Sequence, residues 1–138
     1  MKAYIDSSVL IRIAFRSPTP LAVWDEIDYY VSSVLLRLEC ARALQRLRFD
    51  NKYSVTQIIE RRAAVALLTA DMDLVEIRED IFDLAAGAFA APLKTLDAIH
   101  LATAIALRDQ NHLNLAFATH DDMLARAARA AGFEVLGA

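Results

Sequence analysis

The stretch from Leu115 to Leu136 constrains this chain more than any other. Leu115-Ala116-Phe117-Ala118 is a short apolar run of the kind buried inside a sheet. Asp121 to Ala131 then has helical spacing. Gly132 stands where a helix stops, before the β-prone run Phe133-Glu134-Val135-Leu136. A strand, a helix and a second strand in so short a span form a crossover, and crossovers join parallel strands.

The same alternation fills the rest of the chain. Ala3-Tyr4-Ile5 reads as a strand, followed after Asp6-Ser7-Ser8 by a helix to about Arg16. Ser17-Pro18-Thr19-Pro20 breaks the chain, and Leu21 to Ile27 is expected to form a short helix. Tyr29-Tyr30-Val31 is β-prone and runs into Ser32-Ser33, cap residues for a helix from Val34 to about Phe49. Ser54 to Ala70 is a further helix, Asp73 to Ile77 a strand, and Asp80 to Ala90 a helix ended by Pro92. Thr95 is positioned to cap a helix reaching about Asp109. This pattern predicts a three-layer α/β/α sandwich around a mostly parallel sheet of four to five strands. Neither a repeat nor a linker interrupts the 138 residues, so one domain over 1–138 is expected.

Composition narrows the function classes. Hydrophobic residues make up 57% of the chain, yet no apolar run approaches the ~18 residues a membrane helix needs. Asp6 and Arg12 interrupt any N-terminal apolar region, so neither a signal peptide nor a membrane association is expected. The apolar excess points to a buried sheet plus a protein interface. One cysteine, Cys40, excludes an internal disulfide framework, argues with the three histidines against structural zinc, and suits a cytoplasmic location. A formal net charge of -3 disfavours a strongly basic nucleic-acid binder, so any such role rests on local charge.

In parallel sheets, ligands gather outside the carboxyl ends of the strands. Four acids are expected there. Asp6 ends the first strand, Asp121 follows the Leu115–Ala118 strand, Glu39 lies in the second turn of its helix, and Asp97 lies in the first turn of the Thr95 helix. Each has an ordinary explanation: helix caps for Asp6 and Asp121, helix-dipole complementation for Asp97, and an ion pair with Arg42 for Glu39. Against these, Asp97 shares a helix face with Leu101 and Ala104 on a segment apolar nearly all round, and Glu39 edges the Leu36, Cys40, Ala43, Leu47 stripe.

Taken together, Tyr4-Ile5-Asp6-Ser7-Ser8, Leu38-Glu39, Leu96-Asp97-Ala98-Ile99-His100-Leu101-Ala102-Thr103-Ala104 and Ala118-Thr119-His120-Asp121 resemble the four acidic motifs of PIN-domain nucleases, in order and across nearly the whole chain. The similarity is nearest to the VapC-type toxins of toxin–antitoxin modules. It implies a ribonuclease in which Asp6, Glu39, Asp97 and Asp121 are catalytic and bind one or two Mg²⁺ or Mn²⁺ ions. Ser8 and Thr119 would add hydroxyls behind the ligands, and His100 a supporting group. Thr-x-Asp spacing favours Asp121 over Asp122. The implied partners are an RNA substrate, a VapB-like antitoxin and a second copy in a homodimer.

The chemistry stands on its own. Hard divalent cations take oxygen ligands. Two carboxylates ~5 Å apart at an effective dielectric near 20 repel by about 3 kcal/mol, so such a cluster must bind cations or hold a proton. A raised carboxyl pKa is expected, at Asp97. The implied reaction is hydrolysis of RNA phosphodiesters by in-line attack of water, giving 5′-phosphate and 3′-hydroxyl ends. Arg12, Arg42 and Arg46 are candidates for a backbone-binding path, with Arg16, Arg37, Arg48, Lys52, Arg61 and Arg62 near them. One alternative is a PIN-like module that binds RNA or protein without cutting. A covalent Asp6 nucleophile is disfavoured, since no acid stands two positions on and no Gly-rich phosphate loop is present.

Overall fold

A computed structural model describes residues 1–138. In chain order it contains β1 (Lys2–Ile5), α1 (Ser7–Ala14), a 3-10 turn (Trp24–Glu26), β2 (Tyr29–Ser33), α2 (Leu35–Phe49) and α3 (Val55–Ala70). Then come β3 (Asp73–Val75), α4 (Glu79–Ala85), α5 (Thr95–Asn111), β4 (Ala116–Ala118), α6 (Asp122–Ala130) and β5 (Val135–Leu136). The five strands form one sheet in the order β3-β2-β1-β4-β5. Every pair is parallel.

Period-two alternation along the central strands builds the two cores. Ala3 and Ile5 of β1, with Ala116 and Ala118 of β4, face Val9, Leu10, Leu36, Cys40 and Val65 from α1, α2 and α3. Tyr4 and Phe117 point the other way, onto Leu101, Ala104, Leu124 and Ala127 from α5 and α6. The result is the expected three-layer sandwich. Right-handed crossovers explain which helix goes where: stepping outward from β1 to β3 puts α1, α2 and α3 on one face, and returning past β1 to β4 and β5 puts α4, α5 and α6 on the other.

Several boundaries differ from expectation. Leu21 to Ile27 makes only a 3-10 turn, because Leu21 and Ile27 are both drawn into the core while the residues between them bridge the gap. β3 ends at Val75, where its register with Ser33 of β2 runs out. α4 stops at Ala85 rather than near Ala90; Ala86 and Gly87 close its last turn. Thr95 is not a cap. Lys94 takes that position with extended backbone and no side-chain bond, and Thr95 is the first helical residue. At the end of α6, Gly132 adopts φ +91°, the left-handed conformation that favours glycine.

Candidate active site

The switch point of this sheet lies between β1 and β4, neighbours whose following helices leave to opposite faces. Asp6 is the first residue beyond β1 and Thr119 the first beyond β4. Asp6 is only 3% exposed, a position that a carboxylate tolerates only with hydrogen bonds. Its Oδ2 accepts from the Ser8 N–H (3.3 Å), the Ser8 hydroxyl (2.5 Å) and the Thr119 hydroxyl (2.9 Å). The Ser8 oxygen in turn accepts from the His120 N–H at 2.9 Å, and Thr119 Oγ1 from the Asp121 N–H at 3.0 Å. Two hydroxyls thus lace one strand end to the other and hold Asp6 by one oxygen, while Oδ1 accepts no hydrogen bond.

Asp121 caps α6, its Oδ1 accepting from the Leu124 N–H at 2.8 Å. Asp122 is the first helical residue, so the two acids that competed in sequence occupy distinct positions. Asp97 sits half-buried in the first turn of α5. Its carboxyl pKa is raised to about 6, chiefly by burial, then by the charges of Asp6 and Asp121, with His100 opposing and Glu39 adding. The other three acids of the predicted set therefore act on Asp97 electrostatically.

Glu39 does not pair with Arg42. Its Oε2 accepts from the Ser7 hydroxyl at 2.9 Å, and its Oε1 is hydrogen-bonded to Nε2 of His100. His100 is fully buried, and its Nδ1 lies 2.7 Å from the Tyr4 hydroxyl oxygen. Burial pulls the imidazole pKa down, but Tyr4, the bond and charge of Glu39, and Asp6 outweigh it and raise the value to about 10. His100 Nε2 stands 4.0 Å from Asp6 Oδ1, so the buried imidazole lies between two of the acids. The His120 ring turns elsewhere, Nδ1 lying 2.8 Å from the Gly137 carbonyl oxygen.

No three His, Cys, Asp or Glu side chains stand close enough together to form a ready-made metal centre. Asp6 Oδ1, the Asp97 carboxylate and the second oxygen of Asp121 accept no hydrogen bond, whereas both oxygens of Glu39 are engaged; all are hard oxygens, the donor type that divalent cations take.

The arginines divide. Arg42 and Arg46 border a hollow of about 260 Å³ whose lining includes Glu39, Ser7, Leu38 and Leu96. Arg12 is tied instead to the loop after α1, its Nη1 donating to the Thr19 carbonyl and hydroxyl, each at 3.3 Å. Arg37 and Arg62 flank a separate cleft of about 480 Å³ between α2 and α3. Arg61 lies over the Tyr53 ring at 5.7 Å. Sequence reasoning missed Tyr4 and Ser7 as contributors. A tyrosine on a fully buried strand was the available signal, because its hydroxyl needs an interior partner.

The model of the PIN domain family matches residues 3–130. The chain is also similar to a ribonuclease, VapC46, of Mycobacterium tuberculosis, with 36% identity covering 96% of this chain and 95% of that protein.

Proposed function

The chain belongs to the PIN-domain family and is of its VapC type, and from that premise we propose that it is a metal-dependent endoribonuclease, the toxin of a toxin–antitoxin pair. The observation that carries this reading is the meeting of Asp6 and Glu39 on the buried His100 ring, bonded to Glu39 and 4.0 Å from Asp6, with the raised carboxyl of Asp97 in accord with it. In this reading, acids from distant parts of the chain share one electrostatic environment, whose mutual repulsion a divalent cation would relieve.

In this reading Asp6, Asp97 and Asp121 would hold Mg²⁺ or Mn²⁺, one or two ions, with Glu39 completing the acidic set, and the bound ion would supply water activation and neutralisation of phosphodiester charge. The residues do the rest. Ser8 and Thr119 bond one oxygen of Asp6 and leave the other without a hydrogen bond. Asp121 is oriented by its capping bond. His100 offsets part of the negative charge that would repel a phosphate. Arg42 and Arg46, beside the hollow that Glu39 lines, offer the RNA backbone its cationic contacts. Arg12, engaged with Thr19, is a lesser contributor. The substrate's 2′-hydroxyl is not used, so products carry 5′-phosphate and 3′-hydroxyl ends.

Surface composition supports the proposed partners, a VapB-like antitoxin and a second copy of the chain. Along α3, Val55, Ile59 and Leu67 are 55%, 63% and 76% exposed, an apolar stripe at helical spacing. Beside it lies the cleft flanked by Arg37 and Arg62, whose lining includes Leu44 and Val65. No helix is long and apolar enough to cross a membrane.

The test is cleavage of an RNA pool with Mg²⁺, with Mn²⁺ and with chelator, followed by analysis of the product ends. Metal-dependent cutting that is absent from Asp6→Asn and Asp97→Asn protein is the expected result. Undiminished cutting by Asp6→Asn protein would remove the acidic site from the mechanism. RNA binding without cutting under every condition would leave the non-cleaving module instead.

A further inference from the structure

Tyr4 and His100 are completely buried, yet both carry polar atoms into the layer between the sheet and α5. Packing does not require those atoms. The Tyr4 ring already stacks on Phe117 with centroids 5.3 Å apart and meets the His100 ring edge-on at 5.7 Å, contacts that phenylalanine would keep. What the polar atoms add is a series of bonds: the Tyr4 hydroxyl to His100 Nδ1, then His100 Nε2 to Glu39 Oε1. The series crosses from β1 through α5 to α2. Ser7 of α1 holds the other carboxylate oxygen.

A glutamate at this place has a competing option. Arg42 stands one turn further along α2, exposed and free of ion pairs, at a spacing that supports a surface salt bridge. Rotation toward Arg42 would take the carboxylate away from Asp6 and Asp97. We infer that Tyr4 and His100 form a buried strut that holds the Glu39 carboxylate in the active site, which makes both of them positioning residues for the proposed reaction. This rests on the nuclease reading of the site. Neither side chain touches substrate; both act through Glu39. Partners that orient metal-site carboxylates commonly change metal affinity or activity by 10- to 100-fold when removed.

Tyr4→Phe deletes one hydroxyl and retains the stacked ring. The measurement is Mn²⁺ affinity by calorimetry without RNA, together with kcat and KM on a cleaved oligonucleotide. The strut predicts Mn²⁺ binding weaker by about tenfold, a lower kcat and an unchanged KM. In a Glu39→Gln background, Tyr4→Phe should then have no further effect, since its route to the site is already cut. His100→Gln, which keeps a donor near the Nε2 position, should retain more affinity than His100→Leu, and it serves as the variant if Tyr4→Phe folds poorly. A downfield imidazole N–H resonance of His100 that shifts in both Tyr4→Phe and Glu39→Gln protein would supply the spectroscopic signature. Wild-type affinity and kcat in Tyr4→Phe protein, or an undiminished Tyr4→Phe effect in the Glu39→Gln background, would overturn the strut. Failure of the wild-type protein to bind Mn²⁺ at all would overturn the nuclease reading beneath it.

Discussion

Asp97 illustrates how a single side chain can serve function at the expense of stability. With a folded pKa of about 6 against an ordinary 3.8, it binds a proton more tightly in the folded than in the unfolded chain. In metal-free protein its contribution to stability therefore increases as pH falls through about 6 toward 3.8, and is unfavourable above that window. Thermal melts of the metal-free protein should show this slope. Calorimetric Mn²⁺ affinity should move the opposite way, declining below about pH 6, because ligation needs the ionised carboxylate. Asp97→Asn removes the buried charge, so its melting temperature at pH 7.5 without metal should rise, equivalent to about 0.5–2 kcal/mol, while cleavage is lost. A lowered melting temperature would instead make Asp97 a structural residue. The acid was legible in sequence from the apolar helix around it, and so was the direction of its shift. The engagement of Glu39 with His100 rather than Arg42 was not legible: an i, i+3 pair is local, whereas the bond that forms joins residues 61 positions apart.

Among the elements, α2 and α3 carry signals of different kinds. Arg42 and Arg46 project from α2 beside the Glu39 hollow. Charge reversal at either should weaken RNA binding and reduce the dependence of log affinity on log salt by about one phosphate contact, measured by anisotropy across a salt series. An unchanged slope would return both residues to the solvated surface. α3 opens with a capping box, in which Ser54 Oγ accepts from the Gln57 N–H and the Gln57 side chain accepts from the Ser54 N–H. Ser54→Ala should cost about 1 kcal/mol in denaturant unfolding and leave cleavage intact. The Ser54-Val55-Thr56-Gln57 pattern announces that start in sequence. The start of α5 is less legible. Thr95 is the better capping residue by chemistry, but Lys94 occupies the cap, because the approach of the chain from the preceding loop sets which residue is extended.

For the whole molecule, the apolar excess is divided among a core on each face of the sheet, a smaller cluster between α4 and α5, and exposed side chains that include the α3 stripe. Paired substitutions Ile59→Asp and Leu67→Asp should leave the melting temperature nearly unchanged, since both side chains are mostly exposed. Light scattering should nevertheless show loss of self-association if the α3 stripe carries the proposed homodimer; an unaltered mass would move that interface to another face. Sequence by itself determined the layer architecture and the parallel sheet, because hydrophobic period is a local property. Tertiary structure alone decided the strand order that sets β1 beside β4, the pairing of Tyr4 with His100 and Glu39, and the placement of Arg42 and Arg46 beside the hollow that Glu39 lines. Those arrangements depend on which helix crosses which face and on where distant side chains meet, and no local pattern of residues encodes a meeting between segments so far apart along the chain.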